Sequence, residues 1–457
     1  MSNEGEAVIT PSGGRLLRVL GLAFGLAVLI GNTIGMGILR TPGEVAAHVR
    51  SAPLFLLVWV LGACYALLGA LSLAELGAMR PRSGGLYPLV QDALGPFAGF
   101  ISGWSDWIST TGSTAAVAIV LGEYLGPLIP PLRGHASLSA SAVVVAFALL
   151  QWRGIRIGNL VQLITSSLKG VALIALALAA LVMIVPVAAV TGTMPPTSAM
   201  PVGVALLAAV VVALQSAIYT YDGWTGPLYF GDEIQNPGRE IPRAMIGGVI
   251  LVLLIYLALN VAFLRVVGID AMAGDPFVAA TMAARLFGPG GDTVLRIVTV
   301  VSLLASVNAL QLMASRIPYA MSRDRLMPSL LQRVNTGGTP VPALLASTMV
   351  ALAFILSGTF DTVLALLAFF FVANYALTFA ALFVKRRREP DTPRPFRVPG
   401  YPLVPALALA SSLVFLAAAI WSDRVHSLFA LLLLGLSWPA YRVCRSLGGP
   451  VAEPHDV

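Results

Sequence analysis

The chain has 457 residues, 58% of them hydrophobic and 11% charged, against roughly 25% charged in ordinary soluble domains. A polytopic membrane protein is the class that fits this balance, and soluble and disordered classes are excluded. The net charge of +7 is spread over many short loops, which argues against a nucleic-acid partner and makes the charge a topology signal.

Met1 to Thr10 is polar and acidic and the first apolar run continues into the body, so no cleavable signal peptide is expected. Apolar runs follow near 17–39, 53–79, 95–124, 138–151, 157–190, 202–232, 243–267, 292–322, 341–357, 362–384, 402–421 and 426–444. They predict an all-α membrane protein of twelve transmembrane helices embedded in a lipid bilayer. With both termini cytoplasmic, twenty of the 28 Lys and Arg fall in inner segments and seven in outer ones; the last is Lys169, inside the fifth run. That bias fixes the expected orientation. The only cysteines, Cys64 and Cys444, lie in predicted helices, so no disulfide framework is implied. The four histidines fall in outer loops or the tail. No metal-ligand cluster sits in a helix, and no metal or cofactor is expected.

Two of these runs are interrupted. LAVLIGNTIGMGILRTPG carries Gly31, Asn32, Thr33, Gly35 and Gly37 inside one span, and LQSAIYTYDGWTGPLYFGDE carries Asp222, Gly223 and Gly226 inside another. Backbone in hydrocarbon must satisfy its own polar groups, so a span that gives up its helix lines a cavity. Interruptions at corresponding places in two halves point to the substrate site of a secondary transporter; helix-packing glycines are the alternative.

Five stretches carry a resemblance to the amino acid–polyamine–organocation superfamily, most closely its L-amino acid and related bacterial permeases. GNTIGMGILRTPG resembles the family's first helix, with Gly35-Met36-Gly37 at its G-S-G motif. SLAELGAMRPRSGGLYPLVQDALGPFAGFISGW resembles the second helix, the re-entrant inner loop and the start of the third. SAIYTYDGWTGPLYFGDEIQNPGREIPRAM resembles the sixth helix and the stretch after it. ASVNALQLMASRIPYAMSRDRLMP and RRREPDTPRPFRVPGYPLVP resemble the eighth helix and the loop after the tenth. The likeness runs from about residue 15 to residue 440.

The resemblance implies a five-plus-five inverted repeat with two accessory helices: a tail at 1–15, a first repeat at 16–190, a second at 202–388, helices 11 and 12 at 389–444, and a tail at 445–457. It implies a sodium-independent carrier of neutral L-amino acids, with cationic ones admitted, working by alternating access as exchanger or proton symporter in a bacterial inner membrane. Animal relatives join a partner subunit through an outer-loop cysteine between helices 3 and 4. Here Leu125 to Leu138 has none, so no disulfide-linked heavy subunit is expected.

A zwitterionic substrate needs N–H donors for its carboxylate and carbonyls for its ammonium. The half-helix starting near Gly35 offers the donors and a positive dipole end. Half-helices ending near Thr33 and Ile34, and near Tyr219 and Thr220, offer carbonyls. Gly35 and Gly37 allow close approach and unusual φ values, while Met36 stands where the family's serine would add a hydroxyl. Asp222, an acid near mid-membrane, is a functional-site hypothesis by default; it either faces a cationic side chain or caps the break. Gly223 completes that break, and Tyr219 and Trp224 flank it as gate aromatics or as packing.

Lys169 lies roughly 18 Å into its helix at 1.5 Å per residue. By resemblance it reaches the first break and takes a sodium ion's place; proton coupling and a structural tether stay open. Ser302, Ser306 and Asn308 contact substrate or bond between helices. Glu75, Asp106, Glu233 and Arg316 are expected as inner ion pairs, and the run 385–388 as a solvated inner loop facing lipid headgroups. Within the class the rival is a polyamine or cationic-amine exchanger, which would want a second acid. An integral membrane enzyme or channel is the rival from another class, weakened by the lack of a nucleophile–base pair.

Overall fold

A computed structural model describes residues 16–183, 202–357, 360–422 and, within 432–444, all but 433 and 436. The expected tails at 1–15 and 445–457, the end of the fifth run at 184–190 and, in the twelfth run, 426–431, 433 and 436 lie outside the described residues. Those described form helices joined by short turns, with isolated bridges at Leu20 to Ile234 and Ser83 to Phe230.

Five helical stretches are long and apolar enough to cross a membrane: Ala52–Met79, Ile155–Val182, Pro237–Val266, Val278–Arg323 and Phe369–Arg388. Leu22–Thr33 and Gly37–Val49, bent by 49° at their junction, make a sixth if taken as one span. Shorter apolar helices cover Ala136–Trp152, Val204–Thr220, Val341–Ser357 and Leu403–Ala418.

In chain order the helices are α1 (Leu22–Thr33), α2 (Gly37–Val49), α3 (Ala52–Met79), α4 (Tyr87–Leu94), α5 (Pro96–Leu128), α6 (Ala136–Trp152) and α7 (Ile155–Val182). After them come α8 (Val204–Thr220), α9 (Pro237–Val266), α10 (Ile269–Met272), α11 (Val278–Phe287) and α12 (Gly291–Arg323). The last three are α13 (Val341–Ser357), α14 (Phe360–Arg388) and α15 (Leu403–Ser422).

Burial separates these helices into an inner and an outer set. α12 is buried over nearly all of Ser302–Ser322, and α1, α5 and the chain after α8 pack around it. α7 and α8 instead carry exposed apolar stripes, Leu160, Ile164, Leu168 and Val171 on the first, Leu207 and Val211 on the second. An apolar face left without protein contact is what a helix bordering lipid presents.

The two interrupted spans behave differently. α1 gives way to α2 within three residues. The span predicted at 202–232 is α-helical only to Thr220; turns and one 3-10 turn, Gly226–Tyr229, follow before α9. Three glycines and Pro227 fall within Asp222–Gly231, and both residue types disfavour continued α-helix.

Candidate functional site

A cavity of about 290 Å³ lies between the α1–α2 junction, the end of α8, and the facing sides of α5, α12 and α14. Its size is at the small end of ligand pockets, which suits a small solute. Thr33, Gly35, Met36, Gly37, Tyr219, Thr220 and Asp222 all line it.

At the junction Ile34 is extended, φ −82° and ψ 92°, and Met36 caps α2. The Ile34 N–H still donates to Ile30 O at 3.0 Å. Among the described hydrogen bonds none uses the N–H of Gly35, Met36 or Gly37. These are the orphan donors of a helix start, at the positive end of the α2 dipole. Gly35 and Gly37 do not have the positive φ expected of them; the glycine that does is Gly223, at 113°. Gly37 instead serves close approach, since a Cβ there would lie 2.9 Å from Thr220 Cγ2. At Gly35 a Cβ would meet nothing within 4 Å.

The carbonyls expected to be open for an ammonium already have partners. Tyr256 Oη lies 3.0 Å from both Thr33 O and Thr220 O, and its one proton serves the two half-helix ends. Tyr219 O accepts from the Asp222 N–H at 3.1 Å. A buried carbonyl without a partner is costly, so the fold supplies one, leaving each oxygen its second lone pair.

Lys169 is fully buried. Its Nζ donates to Gly31 O at 2.9 Å, to Ser306 Oγ at 2.9 Å, and to Ile34 O. Ser306 also donates to Gly31 O at 2.7 Å, and Ser302 to Ile34 O at 3.3 Å. The ammonium and two hydroxyls thus hold the carbonyl end of α1. Asn308 lies apart from them and bonds Gln162 and Gln151 between α12, α7 and α6. Of the two readings open for these α12 residues, the geometry gives helix-to-helix bonding for all three.

Asp222 is half-buried and accepts a hydrogen bond from Tyr375 Oη of α14, while the Gly223 N–H lies by the same carboxylate. Tyr219 is exposed to the cavity. Trp224 is not among the cavity's lining; it is buried with its ring 4.9 Å from that of Tyr375. Thr33 Oγ1 is buried without a hydrogen-bond partner.

Sequence reasoning missed Tyr256, Tyr375, Gln162 and Tyr229. A buried Gln in a lipid-bordering helix is a signal that could have been used; the tyrosines carried none, since an aromatic in an apolar helix reads as packing.

Below the cavity the chain is closed by polar contacts. Tyr229 Oη, on the lining, donates to Asp106 at 2.8 Å, and Thr110 Oγ1 adds 3.3 Å. The expected ion pair at Asp106 is therefore absent; neutral hydroxyls hold it. Arg316 and Glu233 form a two-armed pair, 3.0 Å on each arm and wholly buried. Arg82 pairs with Asp324 at 2.7 Å and Arg323 with Asp232 at 3.0 Å. Glu75 meets Arg386 and Arg394. The run 385–388 is not the solvated loop expected: it ends α14, and Lys385 is buried against Asp92 and Glu389. Outside the span, that ammonium holds the Glu389 carboxyl below the usual carboxylate range.

A broken helix presenting free donors to a small cavity fits a solute-binding membrane protein. The amino acid permease family model matches residues 16–435, and the chain belongs to that family. It is similar to the serine/threonine exchanger SteT of Bacillus subtilis (strain 168), 29% identical over 93% of this chain and 96% of that protein. It is also similar to the b(0,+)-type amino acid transporter 1 of Mus musculus, 27% identical over 89% and 84% of the two chains. The large neutral amino acids transporter small subunit 2 of Homo sapiens is 28% identical over 96% and 83%. These relatives are transporters, and the chain is a multi-pass membrane permease rather than an enzyme.

Proposed function

We propose that the protein is a sodium-independent secondary carrier of neutral L-amino acids, with cationic ones admitted, working by alternating access as an exchanger or proton symporter. The observation that carries this reading is the row of unpartnered N–H groups at Gly35, Met36 and Gly37, opening on a cavity of about 290 Å³. A carboxylate fits there, held by backbone donors and the α2 dipole. The Thr33 hydroxyl and the second lone pairs of Thr33 O and Thr220 O lie on the ammonium side. Asp222, with Tyr219 beside it, faces the substrate's side chain.

Lys169 stands where a cation would otherwise neutralise the α1 carbonyls, which supports independence from sodium. Its tether to Gly31 and Ile34 gives it a place in coupling, since substrate at the junction and the charge on Lys169 share one piece of backbone. The ion pairs of Arg316, Arg82 and Arg323 make this the conformation with the inner path shut. The cationic-amine exchanger is less well supported, because Asp106 is turned from the cavity by its bond to Tyr229.

The architecture belonging to this reading has twelve spans, with repeats at 16–190 and 202–388, both termini cytoplasmic, in a bacterial inner membrane. No cysteine lies between α5 and α6, so no heavy subunit is linked there by a disulfide. Non-reducing gels of the expressed protein should show no redox-sensitive heterodimer. The reading is tested by uptake of radiolabelled amino acids into liposomes, with and without sodium and internal substrate. A sodium requirement would overturn the role given to Lys169.

A further inference from the structure

A groove of about 1100 Å³ opens away from the cavity, between the start of α9, Leu22 of α1 and the turn at Pro395 and Phe396. α9 gives it a graded wall. Arg239, Arg243 and Gly247, each four residues apart, and then Ile250 lie exposed, a spacing that keeps them on one helix face. The stripe continues through Leu254 and Val261. From Gly247 to Val266 the helix runs about 30 Å at 1.5 Å per residue, the thickness of a hydrocarbon core. Arg243 therefore stands about one turn outside that core and Arg239 about two, at the depth of lipid phosphates.

No described ion pair or side-chain hydrogen bond uses either guanidinium. Glu240, between them in sequence, also lines the groove, and its Oε2 is shut from solvent without a hydrogen-bond partner. Two guanidiniums and one carboxylate leave a single positive charge.

We propose that this groove is a binding site for an anionic phospholipid such as phosphatidylglycerol. Its phosphate lies between Arg239 and Arg243, where guanidiniums make charge-assisted bonds to phosphate oxygens. An acyl chain runs along Gly247 and Ile250 into the lipid-facing stripe. Phosphatidylcholine is zwitterionic and supplies no net charge. Free phosphate would leave the apolar half of the groove without an occupant.

Native mass spectrometry of the full chain, purified in detergent and given equal amounts of phosphatidylglycerol and phosphatidylcholine, tests this. Each arginine near a membrane surface contributes roughly 1 kcal/mol toward an anionic lipid, so phosphatidylglycerol should be retained about ten-fold or more over phosphatidylcholine. Arg239→Gln with Arg243→Gln should abolish that preference. Gly247→Leu should weaken retention without changing charge; a Cβ there meets only Leu26 Cδ2 at 4.0 Å, so the fold accepts the side chain while the groove fills. Equal retention of the two lipids by the wild type would overturn the proposal. So would an undiminished phosphatidylglycerol preference in both variants.

Discussion

At Gly35 a side chain has room to grow, and all of that room is the cavity. Gly35→Leu should therefore fold, with an unchanged melting temperature in detergent, and lose transport, because the new side chain covers the N–H groups that take the carboxylate. Lys169→Ala is different: it takes the ammonium from the carbonyls of Gly31 and Ile34, which keep only the Ser306 and Ser302 hydroxyls, and each lost hydrogen bond to a charged group costs about 1.5–3 kcal/mol. Lower thermal stability and severely reduced uptake, with no sodium dependence gained, are the expected readouts. In the proposed reading Asp222 sets selectivity. Unit charges about 4 Å apart attract by roughly 4 kcal/mol at an effective dielectric near 20, and about 1–2 kcal/mol remains after desolvation. Asp222→Asn should weaken competition by arginine or lysine about ten-fold and leave leucine nearly unaffected; equal loss for both would assign Asp222 to holding the break's backbone. Asp222 and Lys169 were legible in the sequence because ionisable residues are expensive in hydrocarbon, and the glycines because several in one short run weaken a helix. Tyr256 was not, and it changes the chemistry, since its hydroxyl occupies the carbonyls the sequence left open.

Among the elements, the first interruption was read at its correct place, because Asn32, Thr33 and two glycines weaken a helix locally while apolar runs on both sides restore it. The second was read as the same device, but the chain beyond Thr220 never regains an α-helix before Pro237. Hydropathy could not show this, since Trp224, Leu228, Tyr229 and Phe230 are as apolar in a packed turn as in a span. That turn rests on the inner ion pairs. Glu233→Ala strands Arg316 in a fully buried place, which costs about 3–5 kcal/mol when one partner of a buried pair is removed. The melting temperature should fall by several degrees. Glu233→Gln with Arg316→Met should recover much of it, because replacing both partners leaves no charge unpaired. If the single and double variants are equally stable, the pair does not close the inner path as described.

The whole molecule brings a broken helix, a small cavity and a buried Arg316–Glu233 pair together, in a chain that belongs to the amino acid permease family. The sequence read that family, and from glycines and intramembrane charges it read part of the cavity's lining, Thr33, Gly35, Met36, Gly37, Tyr219, Thr220 and Asp222, while Ile34, Gly223 and Trp224 lie outside it. It could not read which carbonyls the protein would satisfy by itself, because that depends on how α9 and α12 pack against the α1 end. The central claim is that the Gly35–Gly37 donors hold an amino acid's carboxylate. Its most direct test is uptake of labelled leucine into liposomes, challenged by the free amino acid and by its methyl ester. The free acid should compete, and the ester, which keeps the ammonium and side chain but carries no carboxylate charge, should compete at least about ten-fold less well. Equal competition by acid and ester would contradict the claim.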